Sequence, residues 1–299
     1  MPDASVRDGQ AFAPSHVTGI FVPRLEARDP RARGSLGAGL VLGLGVRAAA
    51  RWTDGASRSI RVTAPGVARL EISTEVARRL VGGRRGTLEV RLEHALPVRQ
   101  GFGSSAAGAL ATGLAVARAL GVPRGRAVEV AHLADLFGRG GLGGVAAILG
   151  GGLELRVRAG IPPFGRVLRE KVSGTVLVGT VGPPIRSAGP LGDPDRMARF
   201  RSAGGLFAAL ADAPSPEAFW ETSEQFTEAV GLTSRRLRTV LRGLRRRGFR
   251  AAQAMFGESF FANPPDPEAI PRVRRWLKAG GVDAVEVPIA SRGARVLRG

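Results

Sequence analysis

The 299-residue sequence contains no cysteine and no tyrosine. Without cysteine there is no disulfide framework, no thiolate metal site and no cysteine nucleophile. The histidines, His16, His94 and His132, are too scattered for zinc-ligand spacing. Aromatic residues make up 5% of the chain, so platforms for stacking bases are scarce. Lysine is nearly missing: Lys171 and Lys278 are the only two in a Lys+Arg total of 44, so arginine carries almost all of the formal +19 charge. No segment approaches the roughly 18 uninterrupted apolar residues of a membrane-spanning helix. The opening MPDASVRDGQ carries acids and no apolar core, so no secretory signal is expected there. A soluble, cytoplasmic protein is the expectation. The lone Asn263, few glutamines and absent cysteine are compatible with a hot environment or with coding bias.

The excess of arginine favours anionic ligands and nonspecific adhesion to nucleic acid. Its distribution argues against a reading head. The arginines are spread along the whole chain, and the densest group, Arg235 to Arg250, recurs at helical spacing among Leu237, Val240, Leu241 and Leu244. That pattern predicts the solvated face of an amphipathic helix.

The stretch LPVRQGFGSSAAGALATGL, Leu96 to Leu114, carries the chemistry. A tight turn, Gly101-Phe102-Gly103, is followed by Ser104 and Ser105. Ala106, Leu110, Gly113, Leu114 and Ala117 then lie along one face of a predicted helix. Glycines let backbone N–H groups approach an anion, and the helix points its positive end at the same place. The dipole alone contributes about 0.3–1 kcal/mol, so a triphosphate also needs loop amides, hydroxyls, a metal and cations. Spacing separates the known phosphate loops. A Walker A loop requires a lysine before its Ser/Thr, and none is near. Gly101, Gly103 and Ala106 fit G-x-G-x-x-A, but a dinucleotide site needs an acid about 20 residues on. The first acid after Ala106 is Glu129, inside another helical pattern. A tightly packed helix start without a ligand is the other reading of these residues.

Residues 1–10 are expected to be a flexible tail. Apolar runs predict strands near Phe12 and over 37–46, 60–62, 68–72 and 87–92. Glycines at 34, 37, 39, 43 and 45 predict bends or close backbone approach. Helices are predicted over 74–80, 104–120 (stopped by Gly121-Val122-Pro123) and 124–137, before a glycine-rich loop at 138–144. A strand follows at 153–157. Pro162-Pro163 marks an expected seam between an N-terminal lobe, 11–162, and a C-terminal lobe, 163–299. The second lobe should hold a strand at 175–181 and helices over 193–212, 216–230 and 234–248. A mixed helix-and-turn segment at 251–262, a helix at 267–279 and a strand at 284–289 complete it. Strands and helices without strict alternation predict an α+β protein.

Pro97 to Ala107 reads P-x-x-x-G-[LF]-G-S-S-A-A without a gap, and so resembles the second motif of the GHMP kinase superfamily of small-molecule kinases. Further segments resemble one branch of it, the archaeal pantoate kinases. These are AFAPSHVTGIF from Ala11, GSLGAG from Gly34, Gly182-Pro183-Pro184-Ile185 with Asp193-Pro194, QAMFGESFFA from Gln253, and Ser291 with Gly293-Ala294-Arg295. The likeness runs from about Ala11 to the end. It implies an N-terminal lobe like ribosomal protein S5 domain 2 and a ferredoxin-like C-terminal lobe. It also implies ATP- and Mg²⁺-dependent phosphorylation of pantoate to 4-phosphopantoate, in coenzyme A biosynthesis. The partner is then a small molecule, with no specific nucleic acid and no membrane. The sequence leaves the oligomeric state open, a homodimer included.

The resemblance assigns Gly101, Gly103, Ser104, Ser105 and Ala106 to the nucleotide. Ser105 and Asp135 become the catalytic pair that holds Mg²⁺, with Asp135 where the family usually shows Glu. His16, Thr18, Ser35 and Arg156 fall on the acceptor side, where a guanidinium suits a carboxylate. One departure stands out. Gly141-Leu142-Gly143-Gly144-Val145 resembles the family's G-L-G-D-V, with Gly144 in place of the aspartate expected as base or orienter. General-base assistance is worth about 10²–10⁴-fold, so its loss implies a slow enzyme or a binding paralogue. Against that, a loose transition state demands little early proton removal, and homoserine kinases of the superfamily manage without this acid. A kinase acting on another small alcohol is the remaining alternative.

Overall fold

Two long strands organise the first lobe of the computed structural model, which describes residues 6–185 and 191–298. Val6–Arg24 (β1, 19 residues) and Gly34–Asp54 (β2, 21 residues) pair antiparallel from Val6↔Thr53 to Arg24↔Gly34. A straight ribbon of this length would span about 65 Å at ~3.3 Å per residue. It bends instead, at register shifts between Pro14 and Ser15 and between Thr18 and Ile20. Glycine allows the close passage: a Cβ on Gly45 would come within 2.2 Å of the Ala13 carbonyl oxygen. The far edge of β2 is shared. Val46–Asp54 pair with Gly86–His94 (β4), and Gly37–Leu40 pair with Leu153–Arg158 (β5). Arg58–Thr63 (β3) lies parallel to β4, Arg166–Glu170 (β6) pairs with β5, and Arg295–Val296 (β11) joins β1, completing a seven-stranded sheet.

Ser104–Leu120 (α2) packs on this sheet and against Glu71–Val81 (α1) and Arg124–Phe137 (α3). From Ala106 on it is buried all round except at Arg118, more than the single face expected. Its alanines and glycines let the neighbours approach on every side. It stops where the sequence predicts, at Gly121, whose φ of +66° and N–H bond to Ala117 form a left-handed cap. A short helix, Gly144–Ala147 (α4), follows the glycine-rich loop.

The second lobe is a four-stranded sheet of Thr175–Thr180 (β7), Arg250–Gln253 (β8), Ser259–Asn263 (β9) and Asp283–Pro288 (β10), in the order β10-β7-β9-β8. Counted from β7 this is fourth-first-third-second, the ferredoxin-like arrangement. Pro194–Ser202 (α5), Gly204–Asp212 (α6), Pro216–Val230 (α7) and Arg235–Arg245 (α8) connect β7 to β8, and Ala269–Ala279 (α9) connects β9 to β10. As its spacing predicts, α8 buries Leu237, Val240, Leu241 and Leu244 and leaves most of its arginines in solvent. The lobes share one apolar core. Val17, Ile20 and Leu40 of the first join Phe219, Phe226 and Phe261 of the second. The Phe21 ring stands 4.7 Å from that of Phe256 and 5.2 Å from that of Phe200.

Several boundaries move. Val6–Gln10 belong to β1, not to a tail, and residues 1–5 lie outside the described residues. The strand expected over 68–72 is absent: α1 begins at Glu71, because Val76, Ala77, Leu80 and Val81 bury one helical face. Pro162-Pro163 lies in the β5–β6 connection, within the first sheet, and the two sheets part between Glu170 and Thr175. The chain end then returns to the first lobe through a Leu42↔Ile289 bridge and β11. The helix predicted over 193–212 is broken at Ala203. Residues 251–262 form strands β8 and β9, where Ala251, Ala252, Phe260 and Phe261 are fully buried, so packing overrides the helix propensity of alanine.

Candidate active site

The residues singled out from the sequence come together in one cleft between the lobes. His16, Thr18, Ser35, Gly101, Gly103, Ser104, Ser105, Ala106, Asp135, Gly144 and Arg156 all line a cavity of about 120 Å³. A second cavity of about 360 Å³ adjoins it, sharing Arg99, Ser104, Ser105 and Gly140. The loop before α2 separates neither from the helix N-terminus. Gly101 (φ +75°) and Gly103 (φ +67°) adopt the left-handed backbone that glycine tolerates best. Among the described residues no side chain caps the first turn of α2, so its leading N–H groups are left for a ligand or water. A Cβ on Gly101 would come within 2.8 Å of the Met255 carbonyl oxygen, so glycine lets the β8–β9 turn of the second lobe close over the loop.

Asp135, near the end of α3, reaches this loop. The Ser105 hydroxyl donates to its Oδ1 at 2.6 Å. Burial pushes the Asp135 carboxyl up from 3.8 to about 6, opposed by the bond from Ser105. Gly140 completes the corner, since a Cβ there would fall 2.1 Å from Ser105 Oγ. The pair offers two hard oxygens to a cation. Among the described residues no group of three or more His, Cys, Asp or Glu surrounds a metal site. A divalent ion here would need further oxygens from its ligand, as Mg²⁺ commonly takes from phosphates.

The opposite wall comes from β1, β2 and β5. His16 and Thr18 project from one face of β1, Ser35 is the second residue of β2, and Arg156 lies on β5 across from Gly37. His16 is 2% exposed; its Nε2 is 2.9 Å from Glu154 Oε1 and its Nδ1 is 3.2 Å from Thr18 Oγ1. Burial lowers the His16 pKa, against the raising influence of Glu154. Arg156 donates through Nη1 to Glu154 Oε1. Its Nε and the Ser35 hydroxyl are buried with no hydrogen-bond partner among the described residues. Such orphaned donors are costly unless something fills the cleft.

Gly144 begins α4, and a Cβ added there would lie 2.6 Å from that of Ala106. The position lacks a carboxylate and this backbone leaves no room for one. Residues that the sequence did not mark also reach the site. Glu154 is fully buried behind His16 and Arg156. Arg99 and Arg139 hold left-handed backbones (φ +61° and +53°) beside the second cavity, which non-glycine residues adopt at a cost of about 1–3 kcal/mol. His94 lines the same cavity, with neither ring nitrogen bonded among the described residues. Arg139 stands directly before Gly140-Gly141 and Arg99 two residues before Gly101, but among 44 Lys+Arg residues neither stands out in the sequence.

Residues 70–152 match the family model described as "GHMP kinases N terminal domain". The chain is 34% identical over 270 residues to a pantoate kinase of Thermococcus kodakarensis, covering 87% of this chain and 89% of that protein. It is 29% identical over 259 residues to a pantoate kinase of Methanospirillum hungatei, covering 84% and 86%. A solved structure described as a phosphotransferase related to the CoA biosynthesis pathway superposes with a TM-score of 0.87 at 31% identity, covering 97% of this chain and 99% of that one.

Proposed function

The chain belongs to the pantoate kinase family of the GHMP kinases, and we propose that it transfers the γ-phosphoryl group of ATP to the primary hydroxyl of pantoate. The product, 4-phosphopantoate, lies on the route to coenzyme A, and the reaction is placed in the cytoplasm with its nucleotide. One observation carries the reading of the site. Two buried donors without partners, Arg156 Nε and Ser35 Oγ, belong to residues lining the same cleft as the Ser105–Asp135 pair. A carboxylate-bearing alcohol satisfies the first two groups while its hydroxyl approaches a phosphate held by the second.

The roles follow from the chemistry of each group. Gly101, Gly103, Ser104, Ser105 and Ala106 present backbone N–H groups to the phosphates. Arg99 and Arg139 supply the cations that the scarcity of lysine removes. His94 is available to the base. Ser105 and Asp135 fit Mg²⁺, which when bound draws charge from the phosphates. His16, Thr18, Ser35 and Arg156 hold the acceptor. Because phosphoryl transfer is mainly positioning and charge stabilisation, this division supplies most of what the reaction requires.

The test is a coupled assay of ADP release with ATP, Mg²⁺ and pantoate, run beside homoserine, mevalonate and shikimate. Pantoate-dependent release is expected. Release with another alcohol alone would reassign the acceptor, and none with any would reject the kinase reading.

A further inference from the structure

The proposed transfer leaves a proton to be placed, and the position from which the family's aspartate acts is Gly144 here. Among the described residues lining the cleft, the ionisable side chains are His16, Arg99, Asp135 and Arg156. Arginine does not accept a proton in this range. Asp135 is engaged by Ser105. His16 is left, and its surroundings decide what it can do.

We infer that Glu154, His16 and Thr18 form a relay that takes up the proton of the acceptor hydroxyl, Thr18 touching the substrate and Glu154 positioning the ring. The hydrogen-bond directions follow from the partners. Glu154 Oε1 already accepts from Arg156 Nη1, and a carboxylate can only accept. His16 Nε2, 2.9 Å away, therefore carries the ring proton and donates it to Glu154. Nδ1 is then the acceptor, and the Thr18 hydroxyl, 3.2 Å from it, donates. That commits the only hydrogen on Thr18 Oγ1 and leaves its lone pairs for a hydroxyl in the cleft. Both ends of the relay are shaped for this. A Cβ on Gly39 would sit 2.4 Å from His16 Nε2, so only glycine leaves space for the ring. Behind it, Glu154 keeps a second oxygen, Oε2, buried without a partner among the described residues, which leaves charge to stabilise an imidazolium.

The step balances. The acceptor oxygen attacks the γ-phosphorus, and the bond to the β–γ bridging oxygen breaks with its electron pair remaining on ADP. The acceptor's proton passes to Thr18 Oγ1 as the threonine proton passes to His16 Nδ1. The resulting imidazolium lies between Thr18 and Glu154 and releases its proton on product exchange. Burial favours the neutral ring beforehand. The charged groups bearing on it are Glu154 and Arg156 of β5 and Arg169 of β6, the carboxylate raising its basicity and the two arginines lowering it.

This inference rests on the kinase reading, and its test separates the two. Thr18→Val keeps the shape of the side chain and removes its oxygen. It should lower kcat about 10²-fold or more with KM for ATP unchanged, and Thr18→Ser should restore kcat to within tenfold of wild type. Glu154→Gln should lower the plateau of kcat and also shift the acid limb of its pH profile to lower pH, since it withdraws the carboxylate that raises the His16 pKa. A purely structural role for Glu154 would lower the plateau and leave the limb in place. Full kcat in Thr18→Val, or an unmoved limb in a folded Glu154→Gln, overturns the relay while leaving the kinase intact. A wild-type protein without pantoate-dependent ADP release overturns both.

Discussion

Replacing Asp135 by asparagine should stabilise the metal-free protein while disabling it. The carboxyl is 2% exposed, has one hydrogen bond, from Ser105, and is held at about 6 against an ordinary 3.8. At about 1.4 kcal/mol per pH unit, keeping it ionised costs the native state about 3 kcal/mol above pH 6. The sign is fixed by which state holds the proton. Between roughly pH 4 and 6 the native protein retains it and the unfolded chain releases it, so stability falls as pH rises through that window and levels off beyond. Below it both states are protonated and the penalty disappears. Asparagine can still accept from Ser105 and never ionises. In a chelator, Asp135→Asn should therefore exceed wild type by about 3 kcal/mol at pH 7.5 and by about half of that at pH 5. For a chain of this size the larger gap corresponds to a rise of about 5 °C or more in Tm. Thermal unfolding at the two pH values measures it. Added Mg²⁺ and ATP should reverse the order, because only wild type offers the ion a carboxylate. An asparagine variant no more stable than wild type at pH 7.5, or a gap that ignores pH, would show that Asp135 is not strained by its burial.

Two other substitutions probe the remaining walls of the cleft. Arg156→Lys cannot keep both the Glu154 contact and a planar Nε–H for the acceptor; KM for pantoate should rise about 10–100-fold, the worth of one charge-assisted hydrogen bond, and an unchanged KM in steady-state kinetics would remove Arg156 from the acceptor site. Gly144→Asp, which inserts a Cβ 2.6 Å from that of Ala106, should cost about 1–3 kcal/mol of stability by overpacking without raising kcat. Adding Ala106→Gly should recover the Tm, and a fast, stable single variant would show that the missing aspartate, not its space, is the defect.

The phosphate-loop segment was legible because its chemistry is local: two glycines, two serines and a helix that follows directly. The strands and helices of the second lobe were legible in outline for a similar reason, with α8 the clearest through its alternation of arginine and leucine. Glu154 was not. In L-E-L-R-V-R the charges read as the wet side of a strand, but Leu153 to Leu155 and Arg156 are all buried, because the acid and the base are paired with each other and with His16. Hydropathy cannot reveal charges that satisfy one another. Pro162-Pro163 misled by the same token, as proline punctuates a turn whether or not a lobe ends there, and here β6 folds back onto β5. The two-residue β11 has no periodicity to read, and only its partner Ala11–Phe12 defines it.

That last strand has a consequence for how the molecule is made. Ala11 pairs with Val296 and Phe12 with Arg295, whose guanidinium lies 4.9 Å over the Phe12 ring, and the Ala294 amide closes on Ile148. At Ala11 and Phe12 the outer border of β1 is thus covered by residues that lie far later in the sequence. That border stays open until residues 295 and 296 have left the ribosome, so this edge of the nucleotide half is completed only after the other half exists. Closure of this edge is non-local in sequence, and a change at Arg295 or Val296 reaches straight to the strand that bears His16.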